Sequence, residues 1–154
     1  MATHDLKIGD KAPAFTLLDE AGNTIRLQDL LGKQAIVLFF YPGDFTPGCT
    51  VQLCAVRDDW ETFTAQGLAV FGINHADAKS HQAFRDKHGF PFPLLIDEGK
   101  AVSRNYGATR TLFKTTVIKR TVVGINTRGL IHFYKHGMPR NQEIIKAMKT
   151  KTSV

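Results

Sequence analysis

Only two of the 154 residues are cysteine, too few for the disulfide framework of a small secreted scaffold. In a reducing compartment a close cysteine pair is more often catalytic or metal-binding. No apolar run approaches the roughly 18 residues that a membrane-spanning helix needs. The opening MATHDLKIGDKAP has neither a signal-peptide core nor Arg/Ser-rich transit character, so a soluble, cytoplasmic protein is expected. Acidic residues are scarce in the last third. Residues 100–154 hold 12 Lys/Arg against 1 Asp/Glu, whereas residues 1–99 hold 8 against 13. The basic residues are scattered among apolar ones without an aromatic-interleaved motif, which reads as solvated surface. Neither a nucleic acid nor a membrane is expected as partner. Repeats, low-complexity segments and linkers are also missing, so residues 1–154 read as one domain with mass enough for a core.

What is present is an alternation of short apolar runs with amphipathic stretches. Phe15–Leu18 and Thr24–Leu27 flank a turn and predict an N-terminal β-hairpin, with one helical turn at Gln28–Leu31 closed by Gly32. The run Ala35–Phe40 is apolar at every position, as in a strand buried on both faces. A helix follows from Pro47 to Gln66, with Cys49, Leu53, Val56, Trp60 and Phe63 in one stripe that reads as core apart from Cys49. Leu68–Ile73 is the next strand. Lys79–His88 is a helix capped by Asp77 and Gly89, Phe92–Ile96 a strand, and Lys100–Tyr106 a short helix. Val117–Ile125 and Leu130–Tyr134 read as an antiparallel hairpin, and Asn141–Lys149 as a closing helix. This order predicts an α/β fold, a thioredoxin-like sandwich with a central mixed sheet flanked by helices.

The stretch with chemical character is YPGDFTPGCTVQLC, Tyr41 to Cys54, which holds both cysteines. Thr46 is a suitable N-cap and Pro47 suits the first helical position. Cys49 then falls in the first turn, where free N–H groups and the helix dipole favour negative charge. The thiolate is the nucleophilic form of cysteine. Pro42, Phe45 and Pro47 stiffen the approach, and Thr46 offers a hydroxyl. A five-residue step along a helix rises about 7.5 Å and turns about 500°. That exceeds the roughly 4.4–6.8 Å Cα separation of a disulfide. Cys49 and Cys54 therefore cannot bond while the helix is intact.

Tyr41-Pro42, Thr46, Cys49 and Thr50 together resemble the active-site motif of the peroxiredoxins. A second cysteine five residues on resembles the bacterioferritin-comigratory protein, or peroxiredoxin Q, subgroup, and the resemblance runs from about Leu6 to Met148. It implies a thiol-dependent peroxidase acting on hydrogen peroxide and alkyl hydroperoxides. Cys49 would be the peroxidatic residue and Cys54 the resolving one. Thioredoxin or a similar dithiol would reduce the resulting disulfide, with no cofactor, in a monomer.

The family also carries an arginine on a later strand that pairs with the thiolate. Alternation leaves Lys119 and Arg120 both open here, and the resemblance favours Arg120. Thr46 joins the implied catalytic set, and Pro42 would shield the sulfur. Tyr41 either lines the substrate pocket or is a core or rim aromatic. Gly72–Asp97 reads mainly as framework. Departures from the family pattern fall at Val123–Asn126 and Arg110–Lys119, where they bear on substrate preference and partner surface. His75, His81 and His88 lie six and seven apart with no cysteine at zinc-finger spacing, so no metal site is expected and the histidines read as surface or capping residues. Two other readings compete: a copper carrier or redox sensor on the same fold, and nucleic-acid binding through the basic third. The five-residue cysteine step argues against the carrier.

Overall fold

A computed structural model of the chain describes residues 4–149. Its centre is β3, Ala35–Phe40, with every residue buried. Period-two alternation divides that strand between two cores. Val37 and Phe39, with Tyr41 beyond them, pack on one face with Leu53, Val56, Phe63, Phe84 and Ile144. Ile36, Leu38 and Phe40 pack on the other with Leu27, Tyr106 and Ile118. A continuous apolar run is what a strand covered on both sides requires.

Seven strands form the main sheet in the order β2-β1-β5-β4-β3-β8-β9. β4 (Leu68–Asn74) runs parallel to β3 and to β5 (Leu94–Ile96). β1 (Thr16–Asp19) and β2 (Thr24–Arg26) form the expected N-terminal hairpin, and β1 closes antiparallel on β5. β8 (Thr121–Ile125) is antiparallel to β3 and to β9 (Ile131–His136). The helices are α1 (Leu27–Leu30), α2 (Pro47–Asp58), α3 (Trp60–Ala65), α4 (Ala78–His88), α5 (Ala101–Asn105) and α6 (Asn141–Lys149). α5 follows a short 3₁₀ turn at Glu98–Lys100. This is the mixed α/β, thioredoxin-like architecture with an N-terminal strand pair. Residues 150–154, read from the sequence as a fraying end, lie outside the described residues.

Two expectations need correction. The helix after Pro47 does not run unbroken to Gln66. Asp59 leaves helical geometry at φ −98°, ψ 16°, where its carboxylate accepts from Asn141 Nδ2 at 2.8 Å, and α3 restarts beyond it. The apolar stripe survives the break, with Leu53, Val56 and Phe63 buried and Trp60 packed on the same core. Nor is 117–125 one strand. Thr115–Ile118 is β7, paired with β6 (Thr109–Leu112) in a separate hairpin, and Lys119-Arg120 forms the step between β7 and β8. Backbone bonds hold that step from both sides. Lys119 N donates to Ala108 O and Gly137 N donates to Arg120 O, each at 2.7 Å.

Candidate active site

β3 delivers the chain at Tyr41, and α2 begins six residues later at Pro47. Thr46 occupies the N-cap position, in extended geometry, with Pro47 in the first turn. Its side chain does not cap, however. Thr46 Oγ1 donates to Gly43 O at 3.1 Å, which draws the turn together, and Thr50 Oγ1 donates to Thr46 O at 2.8 Å. Cys49 stands in the first turn and is fully buried, its side chain on the core shared with Tyr41 and Leu53. Free N–H groups and the positive end of the helix dipole meet at this turn.

Arg120 reaches the same turn from the step between β7 and β8. Its Nη1 donates to Gln52 Oε1 at 2.8 Å. A Cβ placed on Gly48 would lie 3.1 Å from Arg120 Nη2, so the guanidinium rests against the backbone immediately before Cys49. Gly48 lets it approach that closely. Gln52 is buried, and its Nε2 has no partner among the described residues. An unsatisfied buried donor costs about 1–3 kcal/mol. Of the two cations that alternation left open, Arg120 is the one bonded to α2.

Cys54 lies on α2, half-buried against the same core. Both cysteines are free thiols, as the intact helix between them demands. Pro42 is exposed and stands on the wall of a cleft of about 340 Å³ that also touches Arg120. Tyr41 turns inward instead. It is fully buried, its hydroxyl donates to Asp44 at 2.7 Å, and it belongs to the core beside Cys49 rather than to the open cleft.

Asp44 is the residue that sequence reasoning passed over. Its carboxylate accepts from Tyr41, from Asn74 Nδ2 (3.1 Å), from Ser80 Oγ (2.7 Å) and from His81 Nδ1 (2.7 Å). His81 Nε2 meets Leu95 O at 2.9 Å. His81 is thus fully buried, which corrects its reading as a surface or capping residue. Ser80, His81 and Asn74 lie in the segment read as framework, yet they hold the loop that leads to Cys49. Burial alone would push the Asp44 carboxyl up. The hydrogen bond and charge of His81, with the Ser80 and Tyr41 bonds, outweigh it and hold Asp44 below its ordinary 3.8. Burial, reinforced by the Asp44 charge and hydrogen bond, raises the Tyr41 hydroxyl well above its usual value, so it remains a neutral donor. Phe45 next door adopts φ 64°, a left-handed conformation uncommon for a bulky residue. Its ring packs on Phe84 of α4 at 5.0 Å between centroids. The loop before Cys49 is therefore fastened to α4 at two consecutive residues.

No group of three or more His, Cys, Asp or Glu among the described residues is placed to hold a metal ion. The arrangement is that of a buried thiol in the first turn of a helix, with an arginine against the residue before it, behind a loop fastened by a buried carboxylate.

Residues 8–134 match the AhpC/TSA family. The chain belongs to that family. It is 43% identical over 125 residues to the chloroplastic peroxiredoxin Q of Triticum aestivum, which covers 81% of this chain and 57% of that protein. Against the chloroplastic peroxiredoxin Q of Populus jackii it is 38% identical over 147 residues, covering 95% and 68%. The chain thus spans between half and about two thirds of the length of these relatives. The crystal structure of peroxidoxin BcpB from Mycobacterium tuberculosis superposes with a TM-score of 0.87 at 28% identity, covering 95% of this chain and 98% of that one. The chain is similar to the peroxiredoxin Q and bacterioferritin-comigratory type.

Proposed function

We propose that this protein is a thiol-dependent peroxidase that reduces hydrogen peroxide and alkyl hydroperoxides, with Cys49 as the peroxidatic residue. The observation that carries this is the placement of Arg120 against Gly48, the residue before the buried Cys49, in the first turn of α2 of an AhpC/TSA-family chain.

The Cys49 thiolate attacks the terminal oxygen of the hydroperoxide. An S–O bond forms, the O–O bond breaks, and the leaving oxygen departs as water or alcohol after taking a proton. The sulfur becomes a sulfenic acid, oxidised by two electrons. Arg120 and the N–H groups of the first turn face the place where negative charge shifts between the oxygens. Thr46 acts through the turn it closes on Gly43, and Pro42 narrows the approach.

Cys54 then attacks the sulfenic sulfur, forming an S–S bond and releasing water once α2 has locally unwound. A dithiol such as thioredoxin supplies two electrons by exchange and restores both thiols. A monomer in the cytoplasm completes this reading, since both cysteines sit on one helix.

Peroxide consumption coupled to thioredoxin, its reductase and NADPH tests it, with wild type, Cys49→Ser and Cys54→Ser compared. Turnover lost in Cys49→Ser, with a trappable sulfenic acid in Cys54→Ser, is the expected result. Wild-type turnover in Cys54→Ser would remove the resolving role from that residue. No peroxide loss in wild type would leave a redox sensor as the better account.

A further inference from the structure

The cleft beside Pro42 has an unusual wall. It is lined by Pro42, Arg110, Ile118, Lys119, Arg120 and His136, with Gly137 at its edge, and no carboxylate contributes to it. Arg110 comes from β6 and the adjacent pair Lys119-Arg120 from the step into β8.

The charges on this wall are differently engaged. Arg120 is bonded to Gln52, and His136 has both nitrogens occupied, by Thr121 Oγ1 at 2.8 Å and by Asp5 at 2.7 Å. Arg110 and Lys119 have no ion-pair partner among the described residues. Asp5 is engaged by His136 at 2.7 Å.

The backbone at this step is fixed. Thr121 Oγ1 donates to Lys119 O at 2.7 Å, in addition to the bonds from Lys119 N to Ala108 O and from Gly137 N to Arg120 O. Three cations are therefore held on one concave surface, where like charges repel and the field is concentrated. An anion in the cleft removes that repulsion. Its size, about 340 Å³, lies at the lower end of small-molecule sites.

Position supplies the other half of the argument. Arg120 belongs both to this wall and to the first turn of α2, against Gly48. Arg120 thus joins the cleft to the turn that carries Cys49, so a hydroperoxide whose O–O group lies at that turn has Pro42, Lys119 and Arg110 on the adjoining wall.

We propose that this cleft binds the carboxylate of an anionic hydroperoxide, with Arg110 and Lys119 as the residues that set this preference. The proposal rests on the peroxidase reading above and names the substrate class for it.

The test compares γ-hydroperoxy-γ-methylvalerate with its methyl ester, two hydroperoxides that differ in charge at one end. Dithiothreitol serves as reductant, so no protein partner enters the measurement. Wild type is expected to show kcat/KM about tenfold higher for the carboxylate at low ionic strength, with the ratio falling as salt is added. The double variant Arg110→Ala/Lys119→Ala should bring the ratio to about one, and Lys119→Glu should invert it. Both side chains are at least partly exposed, so the variants are expected to fold.

A wild-type ratio near one with measurable turnover of the ester would overturn the anion site and leave the peroxidase reading standing. A ratio unchanged in the double variant would overturn the assignment to these residues. No consumption of either compound, or of hydrogen peroxide, would overturn the peroxidase reading and this proposal with it.

Discussion

Asp44 Oδ2 lies 2.7 Å from His81 Nδ1, and both side chains are almost completely removed from solvent. One residue stands on the loop that enters the cysteine helix, the other on α4, 37 positions away. Removing a hydrogen-bond partner from a buried carboxylate leaves an acceptor unsatisfied and costs about 1–3 kcal/mol or more. His81→Leu is expected to lose stability in that range in urea unfolding, and to slow Cys49 oxidation as the loop loses its anchor.

Asp44 also sets an acid limit. Its pKa is depressed in the folded chain, so its contribution to stability is fully present above the unfolded value of 3.8. That contribution is lost as pH falls through the lower folded value. Denaturation free energies measured downward from neutral pH should show wild type and Asp44→Asn converging below the unfolded value. A constant gap across that range would contradict the assignment.

Gln52 separates positioning from stability. Gln52→Leu removes the buried Nε2 that has no partner and also the acceptor that holds Arg120. Stability is expected to stay level or rise by up to about 1 kcal/mol, since an unsatisfied donor disappears. The rate of Cys49 oxidation by peroxide is expected to fall, and restoring the acceptor with Glu at this position should recover part of it. A loss of rate in proportion to a loss of fold would make Gln52 merely structural.

Gly72 is a contact position rather than a hinge. A Cβ there would stand 2.7 Å from Leu94 Cδ2 and 3.2 Å from Tyr41 Cε1, inside a closed core. Gly72→Ala should cost about 1–3 kcal/mol of stability through overpacking. Tyr41 should shift with it, visible as a changed near-ultraviolet circular dichroism signal.

The core strand, the helix start at Pro47 and the caps of α4 were legible because each is written in neighbouring residues. Ala35–Phe40 has no polar position, Asp77 accepts from Ser80 N as an N-cap does, and Gly89 takes the left-handed conformation at φ 63°. The break at Asp59 was not legible, since its partner Asn141 lies 82 residues on. The β6–β7 hairpin escaped for a different reason. Its turn places Phe113 and Lys114 at φ 50° and 68°, without the Gly or Asn that marks such turns. His81 was misread because a histidine on a helix of low apolar content looks solvent-facing until the loop that covers it is known. Cys49 was singled out through a motif and Arg120 through the family resemblance. Asp44 lies inside that same motif, where only its four donors reveal its role.

The two ends of α2 are held unequally. At the far end, Arg57 Nη1 donates to His88 O at 2.7 Å and Asn141 grips Asp59. At the near end, Arg120 bonds Gln52 and rests against Gly48. In the proposed cycle a bond between Cys49 and Cys54 forms by dismantling the near end, which carries Cys49 away from the helix dipole. In that proposed cycle the oxidised molecule would then have no thiolate to offer and no assembled cradle for the oxygens. On the proposed reading it would be blind to a second equivalent of oxidant until reset, each copy counting one peroxide at a time.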